Sequence, residues 1–288
     1  MSAVTAPSLA AGLGAVVGSR RRRAVLQVAL GAGFVAAILV AAPVLTTAAE
    51  VTDLGARRQP PSLAHPFGTD RLGRDVLTRT IVGLRLSLGI GAAAALISAL
   101  IAAVLGAAAG MFGRWADTAT GWLIDLFLAL PHLVLLILIA VAAGRGATGV
   151  LVAVALTHWP ALARVLRAEA RRVVASDYVA VAERLGRSRA RIAREHLSPH
   201  LAPQLMVGTI VLFPHAILHE AALSFLGLGL PPHAPAVGIL LADAMRELSA
   251  GTWWLALLPG LTLLVVVKTV DTIGQQLRAL SDPWSAHE

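Results

Sequence analysis

The sequence predicts an all-α membrane protein, a polytopic helical bundle of six transmembrane helices. Three observations predict it. Of 288 residues, 57% are hydrophobic and 14% charged, whereas soluble domains carry about 25% charged residues. The apolar residues gather into six stretches, each long enough to cross about 30 Å of hydrocarbon at about 1.5 Å per residue. These stretches are rich in Ala, Leu, Val and Gly and lack the period-two alternation of barrel strands. The chain has no cysteine, so disulfides, thiolate metal sites and thiol nucleophiles are excluded.

Taken in order, residues 1–23 form a tail ending in Arg20, Arg21, Arg22 and Arg23. The first helix follows over 24–45. Its apolar run exceeds the roughly 7 to 15 residues of a signal-peptide core, and further spans follow it, so a retained signal anchor is expected rather than a cleaved leader. Residues 46–85 are polar and form a loop. The remaining stretches run from Leu86 to Met111, Thr118 to Ala143, Thr148 to Leu166, Pro203 to Leu226 and Trp253 to Ile273, all inside a membrane domain expected over 86–276. A polar segment at about 168–203 interrupts it, and 277–288 is a second tail. Small residues such as Gly89, Gly91, Gly106 and Gly110 allow close helix packing in lipid, where apolar burial alone gives little drive. No internal repeat of solenoid type and no low-complexity linker divides the chain.

Charge placement sets the orientation. With a cytoplasmic N-terminus, six spans put 15 of the 24 basic residues inside, nine of them between Arg164 and Arg194, and leave eight outside, six of them from Arg57 to Arg85. This sorting follows the positive-inside rule. It accounts for the net charge of +8 without nucleic acid.

In the polar segment, Tyr178, Val181, Ala182 and Leu185 share one face at i, i+3, i+4 and i+7, and Gly186 follows. That spacing predicts a short amphipathic helix stopped by the glycine, then a basic helix ended by Pro199. Such a helix either lies against lipid or binds a partner.

The segment resembles the EAA loop of permease subunits of ABC importers, whose pattern runs Y-V-x-A-A-x-x-L-G, about ten residues, then H-I-L-P. The match falls on Tyr178, Val179, Ala182, Leu185, Gly186, His196 and Pro199, directly after Asp177; Val181, Leu197 and Ser198 depart from it. A second run, from His65 through Gly68, Thr69, Asp70, Gly73, Arg74 and Asp75, with Arg79, Gly83, Arg85, Ser87 and Leu88 after it, resembles the H-P-x-G-T-D-x-x-G-R-D signature of dipeptide, oligopeptide and nickel importer permeases. Ser224-Phe225-Leu226-Gly227-Leu228-Gly229 is similar to their S-F-L-G-L-G, and Asp125 with Pro131 and Leu277-Arg278 with Asp282-Pro283 also fit. Val237-Gly238 stands where that family has Trp-Gly, and Asp271 and Gln275 replace its Asn and Asp.

The resemblance implies a non-catalytic permease subunit with a cytoplasmic EAA coupling loop. The implied partners are a second homologous permease subunit, two cytoplasmic ABC ATPase subunits that bind ATP and Mg, and an extracytoplasmic solute-binding protein, besides membrane lipid. It also implies small peptides, nickel or metal chelates as cargo.

The residues themselves bear on the energy source. A P-loop needs the lysine of G-x-x-x-x-G-K-[ST] to reach phosphates. The single lysine here, Lys268, follows Val267 in an apolar span, so the chain has no P-loop of its own; the resemblance then implies that ATP and Mg are bound by partner subunits and no cofactor by this chain. The alternative is a proton-coupled secondary transporter acting without an ATPase, which needs buried carboxylates; Asp125 and Asp271 are the candidates. Lys268 and Asp271, three apart on one helical face, more simply pair with each other.

For the translocation path or substrate the candidates are Asp125, His215, His219 and Glu220. His215 and His219 stack on one face at i, i+4 with Glu220 beside them. Two imidazoles at that spacing can share a transition metal, or each can bond a neighbouring helix. The nickel permeases are similar to this chain at His158-Trp159 and in carrying histidines before S-F-L-G-L-G. H-E-x-x-H is absent, which excludes a zinc peptidase of that type.

Overall fold

The structure, a computed structural model, describes residues 9–281 except Pro232, and side chains within 22–279. Residues 1–8 of the first tail and the Asp282-Pro283 pair therefore lie outside the described residues.

Among the described residues ten helices follow one another: α1 Leu9–Leu45, α2 Val76–Met111, α3 Arg114–Ala129, α4 His132–Ala142, α5 Gly146–Val174, α6 Asp177–Arg184, α7 Arg189–Ile192, α8 Ser198–Phe225, α9 Val237–Glu247 and α10 Trp254–Ser281. One π-turn, Ala193–Leu197, joins α7 to α8. Among the described residues no strand forms, and one isolated bridge links Thr69 to Asp75. Of the described helices five are long and apolar enough to cross a membrane, and α3 with α4 makes a sixth candidate span bent by 99°.

Three expectations about the spans change, the first being that α1 begins at Leu9, inside the tail expected over 1–23. The second span begins at Val76 rather than Leu86, because Asp75 caps it: its carboxylate accepts from the Thr78 amide at 2.8 Å, satisfying a donor that a helix start leaves free. Residues 76–85, assigned to the outer loop from their charge, are therefore helical. The stretch from Thr118 to Ala143 is not one straight helix either. Leu130 is extended at ψ 142°, the geometry imposed on a residue that precedes proline, and the chain turns there before restarting at His132.

The bend does not detach the two pieces. Asp117 meets Arg167 and Arg171, Asp125 meets Arg164, and Phe127 meets Trp159 edge-on. The contacts then pass from His132 on His158 to the Ala140 carbonyl beside Gly149. Contacts climb α5 step by step, so α3 and α4 together follow its full length as one broken span.

Helix α2 is the central strut. Its small residues admit neighbours closely: a Cβ added to Gly106 would lie 2.7 Å from the Leu166 Cβ of α5, and one on Gly110 2.8 Å from the Ala170 Cβ. The Ser98 hydroxyl donates to the Ala155 carbonyl across the same seam at 2.7 Å. Such close approach with interhelical hydrogen bonding is how helices adhere in lipid. One buried cluster joins Ala95, Ala99 and Ala102 of α2 to Ile124 of α3, Leu162 and Leu166 of α5 and Leu201 and Leu212 of α8. A second joins α1, α2, α8, α9 and α10 through Ile38, Leu84, Ile217, Val237 and Val266. Large apolar side chains remain exposed on the outside of the bundle, among them Val40, Val44, Leu100, Val104 and Leu138, a surface suited to hydrocarbon or another membrane helix.

Candidate functional site

The segment after α5 forms a compact platform. Ser176 precedes α6, and Gly186, at φ +75°, stops it; the Gly186 amide donates to the Glu183 carbonyl at 2.9 Å and the Arg187 amide to that of Ala182 at 3.1 Å. This left-handed cap favours glycine. The two faces of α6 do different things. Val179 and Ala182 are buried in the cluster containing Ala170 and Val173 of α5, Ile192 of α7 and Leu197 and Leu201. Tyr178, Val181 and Leu185 are exposed, Leu185 at 76%, and make a short apolar row. The Tyr178 ring also lies 5.7 Å from that of His196 and 6.2 Å from that of His200, which ties α6 to the start of α8. Pro199 occupies the first turn of α8, where its missing amide costs nothing. The sequence-predicted residues of this segment are thus brought together at one end of the bundle, with Ala182 turned inward rather than lining the exposed row.

At the other end the signature run folds on itself. The Asp70 carboxylate accepts from the amides of Leu72 at 2.8 Å and Arg74 at 3.0 Å, from Arg74 Nε at 2.7 Å and from Arg79 Nη1 at 2.5 Å. Burial pushes its pKa upward, but the Arg74 amide and guanidinium and the Leu72 amide outweigh that and hold it below the ordinary 3.8. Thr69 is fully buried; its hydroxyl donates to the Ala56 carbonyl and accepts from the Gln59 amide. Asp75 both caps α2 and meets His65 Nδ1 at 2.9 Å. Gly68 and Gly73 have φ of +69° and +75°, and a side chain on Gly73 would collide with the Asp53 backbone. The charges and glycines of the signature are consumed in building the loop. Arg71 stays exposed at its rim.

The within-span candidates separate. Glu220 is fully buried and faces Ser87 of α2 and Ser224, whose hydroxyl donates to it at 2.8 Å; it does not join the histidines. Ser224-Phe225-Leu226-Gly227-Leu228-Gly229 closes α8: Gly227 is left-handed, its amide donates to the Ser224 carbonyl at 3.1 Å, and the Leu228 amide donates to that of Leu223 at 3.0 Å. Asp125 is exposed and paired with Arg164 at 2.9 Å. Asp271 takes Lys268 and Gln275 at 2.9 Å each, as the three-residue spacing suggests.

Of the two alternatives for His215 and His219, a shared metal or separate bonds to neighbouring helices, His219 takes the second, toward His158 of α5. The His215 ring is exposed and only its carbonyl engages His219, at Nδ1 and 2.8 Å. His219 instead meets His132 and His158; each pair of rings has centroids 4.8 Å apart. His132 and His158 were missed as its companions because they lie on α4 and α5, far from His219 in sequence. The resemblance at His158-Trp159 and the histidines before S-F-L-G-L-G singled out His158 and His219 one by one, with nothing in the sequence to join them.

Residues 102–279 match the family described as binding-protein-dependent transport system inner membrane component. The chain is 35% identical to the dipeptide transport system permease protein DppC of Bacillus subtilis, over 78% of this chain and 70% of that one. It is 34% identical to the protein of the same name from Alkalihalophilus pseudofirmus, over 85% and 81%. Against the di/tripeptide transport system permease protein DppC of Pseudomonas aeruginosa it is 38% identical over 75% and 71%. With the family matched over more than half the chain and a helical membrane bundle to carry it, the protein belongs to the inner membrane components of binding-protein-dependent transport systems.

Proposed function

We propose that this chain is a permease subunit of an ATP-driven importer of small peptides, and that α6 is the element through which separate ATPase subunits drive it. The observation that carries the coupling role is the division of α6: Tyr178, Val181 and Leu185 face outward, while Val179 and Ala182 are buried in the cluster that reaches α2, α3, α5 and α8. An apolar row on a basic platform is complementary to a groove with apolar walls and an acidic rim, and a push on it is delivered to four helices at once because packed interiors transmit strain. The cargo follows from the names of the relatives, all three of which are permeases of peptide transport systems.

In this reading both termini and α6 are cytoplasmic, and the Asp70 loop faces the solute-binding protein or a second homologous permease that completes the path. ATP and Mg are held by two ATPase subunits, and the chain has no catalytic residue. ATP-driven closure of those subunits pushes α6, rocks the spans from inward- to outward-facing, and hydrolysis resets them.

The test is Leu185→Asp in the complete importer reconstituted in liposomes. Stimulation of ATP hydrolysis by peptide-loaded binding protein is expected to fall at least about tenfold, the equivalent of about 1.4 kcal/mol, with the ATPases' unstimulated hydrolysis retained. Unchanged stimulation together with unchanged peptide uptake removes α6 from the coupling path.

A further inference from the structure

The structure assigns a three-nitrogen site for a borderline divalent transition metal, of the zinc or nickel class, to His132, His158 and His219. The ligand nitrogens of these residues all lie within 4.8 Å of one another, and the three rings stand edge to face around a common centre with equal 4.8 Å separations. Neutral imidazole suits zinc, copper and nickel.

Tautomers point the same way. His158 Nδ1 lies 2.9 Å from the Val154 carbonyl and His219 Nδ1 2.8 Å from the His215 carbonyl. A carbonyl can only accept, so both Nδ1 atoms carry the proton and both Nε2 atoms carry the lone pair. A backbone carbonyl behind the imidazole is the usual partner that orients a metal-binding histidine. His158 Nε2 accepts from His219 Nδ1 at 3.2 Å; a cation takes that lone pair instead, and the His219 ring turns to bring its Nε2 to the ion. Zinc at about 2.0–2.1 Å from each nitrogen holds tetrahedral ligands about 3.3 Å apart, so the rings need to close by at most about 1.5 Å, within reach of side-chain rotation.

The scaffold explains why the three meet. His132 opens α4 directly after the bend at Pro131, His158 lies in the middle of α5 and is 8% exposed, and His219 lies near the far end of α8. At about 1.5 Å per residue the three sit roughly 15, 18 and 9 Å from the ends of their helices that face away from α6. They share one level of the bundle. Glu220, the nearest carboxylate in sequence, is turned to Ser224, so the ligand set is all nitrogen. Three protein ligands leave a fourth position open to water or to a donor on the transported molecule, as in catalytic rather than structural zinc sites.

The site is tested on the full chain co-purified with its partner subunits through a tag free of histidine, after chelator treatment. Titration with cobalt(II) is expected to give the intense visible bands of tetrahedral coordination, saturating at one ion per chain and displaced by zinc. His132→Gln, His158→Gln and His219→Gln are each expected to weaken binding at least about 100-fold, the upper end of what losing an outer-shell partner costs, and the exposed His200→Gln to leave it unchanged. Size-exclusion profiles verify that each variant is assembled, and any one assembled variant of the three suffices. Absence of saturable binding to the wild type, or binding that survives substitution in an assembled variant, overturns the site. Peptide-stimulated ATP hydrolysis measured on the same preparation separates this outcome from the transport reading, which stands or falls independently.

Discussion

Replacing Asp70 with alanine leaves Arg79 with no ion pair and only the weaker attraction of Asp243. Arg79 is 2% exposed, and Asp70 accepts from its Nη1 at 2.5 Å; its Nε and Nη2 have no hydrogen-bond partner among the described residues. Removing one member of a buried pair typically costs about 3–5 kcal/mol, because the survivor is neither solvated nor neutralised. The same substitution also releases Arg74 and the amides of Leu72 and Arg74. The folded-to-unfolded ratio should therefore fall by roughly two to three and a half orders of magnitude. Thermal unfolding of the purified complex in detergent, followed by loss of the monodisperse peak, reads this directly. The double substitution Asp70→Asn with Arg79→Met removes both charges and should be more stable than Asp70→Ala alone. A midpoint for Asp70→Ala equal to wild type, or a double variant worse than the single, refutes the buried-pair argument. Acid gives an independent reading. The Asp70 pKa is lowered in the folded chain, so its contribution is present above the free carboxyl value of 3.8 and disappears as pH falls through the lowered value. Wild type should lose stability over that acid range, and Asp70→Asn should lose less.

Two further outcomes follow from the packing and the carboxylates. Gly106→Leu drives a side chain into Leu166, where a Cβ alone already comes within 2.7 Å, and should cost about 1–3 kcal/mol of complex stability; Gly89→Leu, with nothing within 4 Å, should be neutral in the same thermal assay. Asp125→Asn removes one side of an exposed pair, worth about 0–1 kcal/mol, so ATP-dependent uptake should change less than about twofold. If this chain alone in liposomes takes up peptide under a pH gradient, and Asp125→Asn abolishes it, the proton-coupled alternative replaces the ATP-driven one.

Periodicity and composition were enough for the helical bundle and for a short α6 stopped at Gly186, because both depend on local spacing. Hydropathy misjudged where it measures the wrong quantity. It counted Arg79 and Arg85 as loop, although Arg79 is neutralised within the protein and helical from the Asp75 cap onward. It read through Pro131, since an apolar run reports burial and not direction. The histidine trio was illegible for another reason: its members come from three helices, and only the bend and the packing of α4 and α8 on α5 bring them together. The signature run is the reverse case. Its residues stood out in sequence, yet most of its polar atoms hold their own loop in shape.

The bend between α3 and α4 has a mechanical consequence. α3 is strapped by Asp117 to Arg167 and Arg171, on the half of α5 that leads to α6, while α4 is packed through Leu136 and Ala140 against Val150, Ala153 and Val154 on the opposite half. With a 99° joint between them, torque entering through one half need not rotate the other rigidly. In the ATP-driven reading proposed above, such a joint lets one leaf swing while its neighbour stays shut, so that the conduit never stands open at both mouths.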